Sequence, residues 1–296
     1  MSILDVKNLV HTVGDKKLFN DASMSLFGGD KLGLTGLNGA GKSTFINILI
    51  GEIVPDSGMV KWNPKNKLGY LDQHARVKNE GITVRSHLTD AFSHLFKVQK
   101  KLTDITSQIA ENLDSTDLDV LMEEMGELQM QLEIEDFYPL ESEIDKTAEG
   151  LGLTAFGLDT PLSRLSGGQR AKVMLAKLLL EAPDVLLLDE PTNFLDREHI
   201  DWLAKYLQGF KGSFIVVSHD FSFLNRIVNC ICDIEFGAIA RYNGTYESFV
   251  NQKEQRHAQH IKNYESQQKE IAKLEDYVQR NIVRASTSKM AKSRRK

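Results

Sequence analysis

The chain has 296 residues, 41% of them hydrophobic and 26% charged, with 36 Lys and Arg against 41 Asp and Glu. That balance supplies a core of ordinary size, excludes wholesale disorder, and allows one large or two modest domains. No apolar run approaches the roughly 18 residues that a membrane span needs, and the opening MSILDVKNLV lacks the basic end and apolar stretch of a signal peptide, so the protein reads as soluble and cytoplasmic.

Residues 1–35 read as short strands: ILDVKN, ASMSLF and KLGLTG. At GLNGAGKSTFINILIG, residues 36–51, glycines punctuate a turn, and Phe45, Ile48 and Leu49 recur behind it at helical spacing. Two further strand-like pieces, MVKW and KLGYL, follow. From Leu88 the period is helical: Leu88, Phe92, Leu95, Leu102, Ile105, Ile109 and Leu113 share one stripe. After the polar break LDSTD a second stripe carries Leu118, Leu121, Met125, Leu128 and Leu132. The pattern predicts an antiparallel helical hairpin set into a larger fold.

From residue 165 helix and strand alternate: GGQRAKVMLAKLLL, DVLLLD, EHIDWLAKYL and SFIVVS. Such alternation predicts a mostly parallel sheet covered on both faces, hence the α/β class. Cys230 and Cys232, in IVNCICDIEF, are too few for a disulfide scaffold or a zinc site. They read as small buried hydrophobes on one face of a strand. YNGTYESF, residues 242–249, reads as a closing turn, and a long polar helix follows it. Ile261, Tyr264, Ile271, Leu274, Val278 and Ile282 form a narrow stripe there that nothing later in the chain can cover.

Charge is unevenly spread. Residues 251–296 hold 12 basic against 5 acidic side chains, and the remainder holds 24 against 36. A basic end on an acidic body points to a polyanionic partner for that end.

GLNGAGKST fits the phosphate-binding loop pattern between a predicted strand and helix. Gly36, Gly39 and Gly41, with Asn38 and Ala40 between them, let backbone N–H groups converge on phosphate oxygens, and the following helix adds its positive N-terminal end. Lys42 would reach the β- and γ-phosphates, Ser43 would hold Mg²⁺, and Thr44 would sit near the inner phosphates of the nucleotide. VLLLDEP, residues 185–191, ends an apolar strand in acid at the carboxyl edge of the sheet. Asp189 is then the outer support for Mg²⁺, and Glu190 the candidate to polarise an attacking water. LSGGQ opens a helix with Ser166, Gly167, Gly168 and Gln169, a second ready-made phosphate contact. Gln73 lies in the YLDQH turn after a strand, and His219 ends the strand IVVSH.

This ordered set, with the NFLD segment at 193–196, resembles the ATP-binding cassette ATPases over residues 1–250. The resemblance implies an ABC-type P-loop nucleotide-binding domain with an antiparallel β subdomain, a helical subdomain inserted at about 85–150 and a C-terminal helical extension. It also implies two cassettes sandwiching ATP head to tail. Ser166 and Gly168 would touch the γ-phosphate of the opposite site, within a signature that includes Gly167 and Gln169. Gln73 would sense Mg²⁺ and water, His219 would stabilise the γ-phosphate in the transition state, and Asp196 would couple the two sites. One departure is Val13, which precedes Gly14 where the family often stacks adenine on an aromatic ring; base preference is expected to be looser.

Most such cassettes energise membrane transport, and an ATP-binding transporter subunit is one reading. The segment from Tyr242 on is more similar to the ABC-F translation factors, which carry two cassettes joined by a charged helical linker that enters the ribosome near the peptidyl-tRNA. PTNFLD, close to the PTNHLD of that group, the YNGTYESF turn, the helical hairpin and the RASTSKMAKSRRK ending carry this resemblance. It implies a cassette at 1–250 and a truncated basic linker at 251–296. A second cassette would come from the missing half of a tandem chain or from a homodimer, and the single cassette alone would hydrolyse ATP weakly. Ribosomal RNA or tRNA would meet Arg280, Arg284, Lys289, Lys292, Arg294, Arg295 and Lys296, read by backbone and shape because few aromatics lie near the tip. A membrane surface is the competing use of those charges. Chromosome-organising cassettes split the two nucleotide motifs with very long coiled coils or zinc-bearing insertions, which the short, cysteine-free interval between Lys42 and Asp189 excludes.

Overall fold

A computed structural model of the chain describes residues 2–71, 81–110, 115–134 and 137–281, with the backbone alone at 115–117 and 278–281. Two compact units emerge, Met1–Thr245 and Tyr246–Lys296. Gln73, Ile282 and the basic residues from Arg284 onward lie outside the described residues.

In the first unit, β1 (Ser2–Val13) and β2 (Lys16–Phe27) form an antiparallel hairpin across Gly14, whose φ of 59° suits the tight turn. β3 (Lys31–Gly36) leaves for a second sheet, and β4 (Ser57–Trp62) returns to pair with β1. β1 and β2 run to 12 residues each, longer than the short strands expected. Asn8 and Asp21, at φ 52° and 61°, mark irregularities that absorb the polar stretches, and the Asn8 side chain donates to Asp21 across them.

The second sheet has the order β5-β6-β7-β3-β8-β9, with β5 (Leu68–Tyr70), β6 (Val185–Asp189), β7 (Ser213–Val217), β8 (Cys230–Glu235) and β9 (Ala238–Asn243). Its first five strands are parallel and β9 is antiparallel to β8. β7 is buried at every residue, and β6 and β8 at all but the last, as strands covered on both faces require. The sheet order puts β3 beside β7 and β6 next to β7, so the loops after all three strands open on one edge.

α1 (Lys42–Ile50) lies between the two sheets and supplies their common core. Phe45 meets Phe19 of β2 with ring centroids 5.6 Å apart, and both rings are fully buried. Trp62 donates its indole N–H to the Leu49 carbonyl at 2.8 Å, satisfying one of the orphan acceptors at the end of α1. The sheets are tied a second time by Arg241 of β9, which makes two 2.9 Å bonds to the Asp30 carboxylate and one of 3.0 Å to the Ser25 carbonyl.

The helical insertion comprises α2 (Val84–Thr89), α3 (Ser93–Ala110), α4 (Ser115–Ile134) and α5 (Leu140–Gly150). α3 and α4 form the expected hairpin, closed at its base by buried Leu95, Leu132, Phe137 and Leu140. The stripe from Leu88 to Leu95 is broken by a 3-10 turn at Asp90–Phe92, where Asp90 is held by Lys177 at 2.6 Å. That bond lowers the Asp90 pKa. α6 (Gly167–Leu180), α7 (Arg197–Gly209) and α8 (Phe221–Ile227) complete the unit.

The second unit is dominated by α9 (Tyr246–Asn281). The closing turn is shorter than the sequence suggested, because YESF already forms the first turn of this helix and only Gly244 and Thr245 separate it from β9. At 36 residues α9 is about 50 Å long. Ile261, Tyr264, Ile271 and Leu274 are exposed along it. Among the described residues no helix is long and apolar enough to cross a membrane.

Cys230 and Cys232 are free and buried, and burial pushes their thiols up to about 11 and about 12 respectively. Both are therefore expected to resist iodoacetamide at neutral pH and to react once urea unfolds the chain, as mass spectrometry would register. Phe45→Ala removes a fully buried ring and is expected to lower unfolding stability by about 3–5 kcal/mol in urea titration.

Candidate nucleotide site

The loop after β3 curls through three left-handed glycines, Gly36, Gly39 and Gly41, at φ 152°, 76° and 103°. A Cβ at Gly36 would stand 2.8 Å from the Ile234 carbonyl oxygen, and one at Gly41 would stand 3.1 Å from the Phe19 ring. Both positions thus need glycine for backbone conformation and for space. The curl delivers Lys42, Ser43 and Thr44 to the first turn of α1, whose free N–H groups face the concavity. The Lys42 ammonium folds back to donate to the Gly36 carbonyl at 2.9 Å and to that of Leu37 at 3.4 Å.

β6 ends at Asp189, and Glu190 follows with a left-handed φ of 49°, a conformation uncommon for a residue with a side chain. Its backbone N–H donates to the Val217 carbonyl at 2.9 Å, which pins the turn to the end of β7. The carboxylate turns back as well: the His219 N–H donates to Oε2 at 3.2 Å, and His219 Nε2 lies 3.4 Å from Oε1. Oε1 is buried without a hydrogen-bonding partner. A cleft of about 360 Å³ gathers Asn38, Gly39, Gly41, Lys42, Ser43, Thr44, Asp189, Glu190, Val217 and His219. Residues far apart in sequence, from the loop, from β6 and from β7, therefore share one wall-to-wall site.

The remaining motif residues stand elsewhere. Ser166 caps α6: its Oγ accepts the Gln169 N–H at 3.3 Å, and Gln169 Oε1 accepts the Ser166 N–H at 2.9 Å. That reciprocal pair satisfies two helix-end donors and leaves Ser166, Gly167 and Gly168 exposed. Asp196 precedes α7 with its side chain 82% exposed, 3.4 Å from Lys172 and 3.9 Å from His199. None of these lines the cleft formed by the loop. Gln73 lies outside the described residues.

Two family models described as ABC transporter match the chain, one at residues 19–193 and one at 232–296. The chain belongs to the ABC transporter family. Over 296 residues it is 47% identical to the uncharacterized ABC transporter ATP-binding protein YfmM of Bacillus subtilis, covering 100% of this chain and 57% of that protein. It is 35% identical over 274 residues to the energy-dependent translational throttle protein EttA of Escherichia coli K12, covering 91% of this chain and 48% of that protein. The chain thus spans about half the length of the curated relatives it matches. Among solved structures, an ATP-binding subunit of an ABC transporter superposes with a TM-score of 0.58 at 21% identity, over 82% of this chain and 90% of that one. A nucleotide-free ATP-binding cassette gives 0.55 at 21% identity, over 85% and 94%. These likenesses show the fold: a mixed α/β ABC cassette.

Some supporting residues of the cassette carried no sequence signal. Thr192 and Ser218 share a buried 3.1 Å hydroxyl bond that ties the turn after Glu190 to the turn that carries His219. Lys172 and His199 flank Asp196, and His199 Nδ1 also lies 3.1 Å from the Gly150 carbonyl at the end of α5. Hydroxyls at the end of an apolar strand are the only hint a sequence gives of such a bond. Because Ser166 caps α6, Ser166→Ala is expected to cost about 1 kcal/mol of stability in urea unfolding without nucleotide, a folding effect separable from any chemistry.

Proposed function

We propose that this cassette binds and hydrolyses ATP at an interface between two cassettes and serves as an ABC-F-type factor on the ribosome. The observation that carries the first part is the cleft that sets Lys42, Ser43, Asp189, Glu190 and His219 together while the exposed Ser166–Gly168 turn lies outside it. A nucleotide in that cleft meets one half of its contacts, and an exposed helix N-terminus from a second cassette would supply the other.

The loop N–H groups and Lys42 hold the polyphosphate, with Asn38, Gly39, Ala40, Gly41 and Thr44 shaping the cradle. The donor set suits magnesium, since one hydroxyl at Ser43 and one carboxylate at Asp189 leave the remaining positions to phosphate oxygens and water, and Gln73 is assigned to the same ion. When bound, that ion neutralises charge on the phosphates during transfer to water. Glu190 orients and polarises the attacking water, and its strained backbone, pinned by Val217, holds the carboxylate toward the cleft. His219 positions Glu190 and faces the γ-phosphate. Ser166, Gly167, Gly168 and Gln169 act on the opposite site, and Asp196 links the two. Catalysis of this kind is positioning and electrostatic stabilisation rather than covalent chemistry.

Residues 1–250 are assigned to the ATP-binding domain and 251–296 to a basic linker. The ribosomal reading is supported by the similarity to EttA along most of this chain, by the long polar helix, and by the concentration of positive charge after residue 250. A phosphate-rich RNA partner suits those charges, and cytoplasmic location follows from that role.

Glu190→Gln is expected to abolish turnover while preserving ATP binding. With the matching change in a second cassette it is expected to trap the ATP-bound form on ribosomes, read by co-sedimentation with ATP, with ADP and without nucleotide at two salt concentrations. ATP-dependent, salt-sensitive binding supports the proposal. Failure to bind ribosomes in every state removes the ribosomal reading and leaves an ATP-binding subunit of a membrane transporter.

A further inference from the structure

Thr83, Ser166 and Asp220 each cap the helix that follows them, accepting the backbone N–H three residues on at 3.2, 3.3 and 2.9 Å. Asp196 stands in the same place before α7, with an extended backbone and a side chain of the type that caps best, yet its carboxylate makes no cap bond. It turns instead to two other side chains. Lys172 Nζ donates to Oδ2 at 3.4 Å, and His199 Nε2 lies 3.9 Å from the same oxygen. A forgone cap lowers the stability of a helix, so something must hold the carboxylate away from it.

Both partners are anchored. The Lys172 side chain is 13% exposed against 82% for Asp196, so its ammonium has lost most of its water and draws the carboxylate as a counter-charge. The His199 ring is seated on the end of α5. Its Nδ1 lies 3.1 Å from the Gly150 carbonyl, which can only accept, so Nδ1 carries the proton. Gly152 leaves room for the ring, since a Cβ there would stand 2.2 Å from His199 Nε2. The carboxylate thus meets a fixed charge and a fixed ring.

Lys172 belongs to α6, about 9 Å along the helix from the Ser166 cap. Beside that cap, a Cβ at Gly168 would stand 3.8 Å from the Phe194 Cβ, in the segment leading to Asp196. The Ser166–Gly168 turn and Asp196 are therefore fastened to one helix at two points. Resting on the reading above that both act on the site of a second cassette, we propose that Lys172 is a positioning residue, backed by His199. It holds the Asp196 carboxylate off the start of α7 and ties it to α6, so that both features meet the other cassette as one rigid piece.

The first test needs no nucleotide: amide hydrogen exchange by NMR in the wild type, Lys172→Met, Lys172→Gln and Lys172→Arg. Without the ammonium the carboxylate falls back on α7 and accepts the His199 N–H. Exchange of that amide is expected to slow about fivefold in Lys172→Met and Lys172→Gln, as a gained cap bond gives, and to stay unchanged in Lys172→Arg. The second test is a double-mutant cycle on ATP turnover with Asp196→Ala. Lys172→Met is expected to lower turnover about tenfold with ATP affinity within about twofold of wild type, and Lys172→Met with Asp196→Ala to be no slower than Asp196→Ala alone. Unchanged His199 exchange in both neutral variants, additive losses in the cycle, or a loss of ATP affinity in place of turnover overturns the proposal. A wild type without turnover, or Asp196→Ala at the wild-type rate, overturns the two-cassette reading and with it the role given to the carboxylate, while the exchange result stands on its own.

Discussion

The contact between the glycine loop and the face of β2 is the constraint on which the rest of this cassette depends. Gly41 is left-handed and lies so close to the Phe19 ring that a Cβ would stand 3.1 Å from it. One turn further on, Phe45 of α1 packs on the same ring. The loop can therefore curl tightly only because a second sheet closes over it, and that sheet finds its core only because α1 follows the loop at once. The loop and the core share the same few side chains, so a change that loosens the core also loosens the loop.

A second constraint is topological. Strand order β5-β6-β7-β3-β8-β9 sets β3, β7 and β6 side by side, so the turns after them open on one edge. Glu190 adopts a left-handed backbone there, held by Val217, and its carboxylate is drawn toward His219. Local strain of this kind survives only where neighbours over-determine it. Here a bond to β7 and the buried Thr192–Ser218 pair supply the restraint.

Asymmetry within the cassette follows from these two constraints. The loop side is concave and lined by glycine N–H groups and acid, whereas the Ser166 side is a convex, self-capped helix start. Ser166 and Gln169 spend hydrogen bonds on each other, and the backbone of Gly167 and Gly168 remains exposed. The long polar helix beyond Thr245 is a separate unit whose exposed Ile261, Tyr264, Ile271 and Leu274 carry no core of their own.

The sequence by itself determined the α/β alternation, the bounds of α6, the end of β6 at Asp189, and the glycine loop and its lysine. Those features rest on local periodicity and on residue types that only one backbone shape suits. It underestimated β1 and β2, because irregularities at Asn8 and Asp21 let polar residues sit inside a strand that patterning reads as ended. It extended the turn after Asn243 too far, since Tyr246–Phe249 looks equally like a loop until the helix beyond it is seen. Only the tertiary structure decided that Glu190 faces His219, that Thr192 meets Ser218, that Lys172 and His199 flank Asp196, and that Lys16 rests on Gly39. Apart from His199 and Asp196, three residues apart at the start of α7, each of those contacts joins segments separated by a crossover or a hairpin, and their distances are fixed by strand order and sheet packing, which no local spacing of residues encodes.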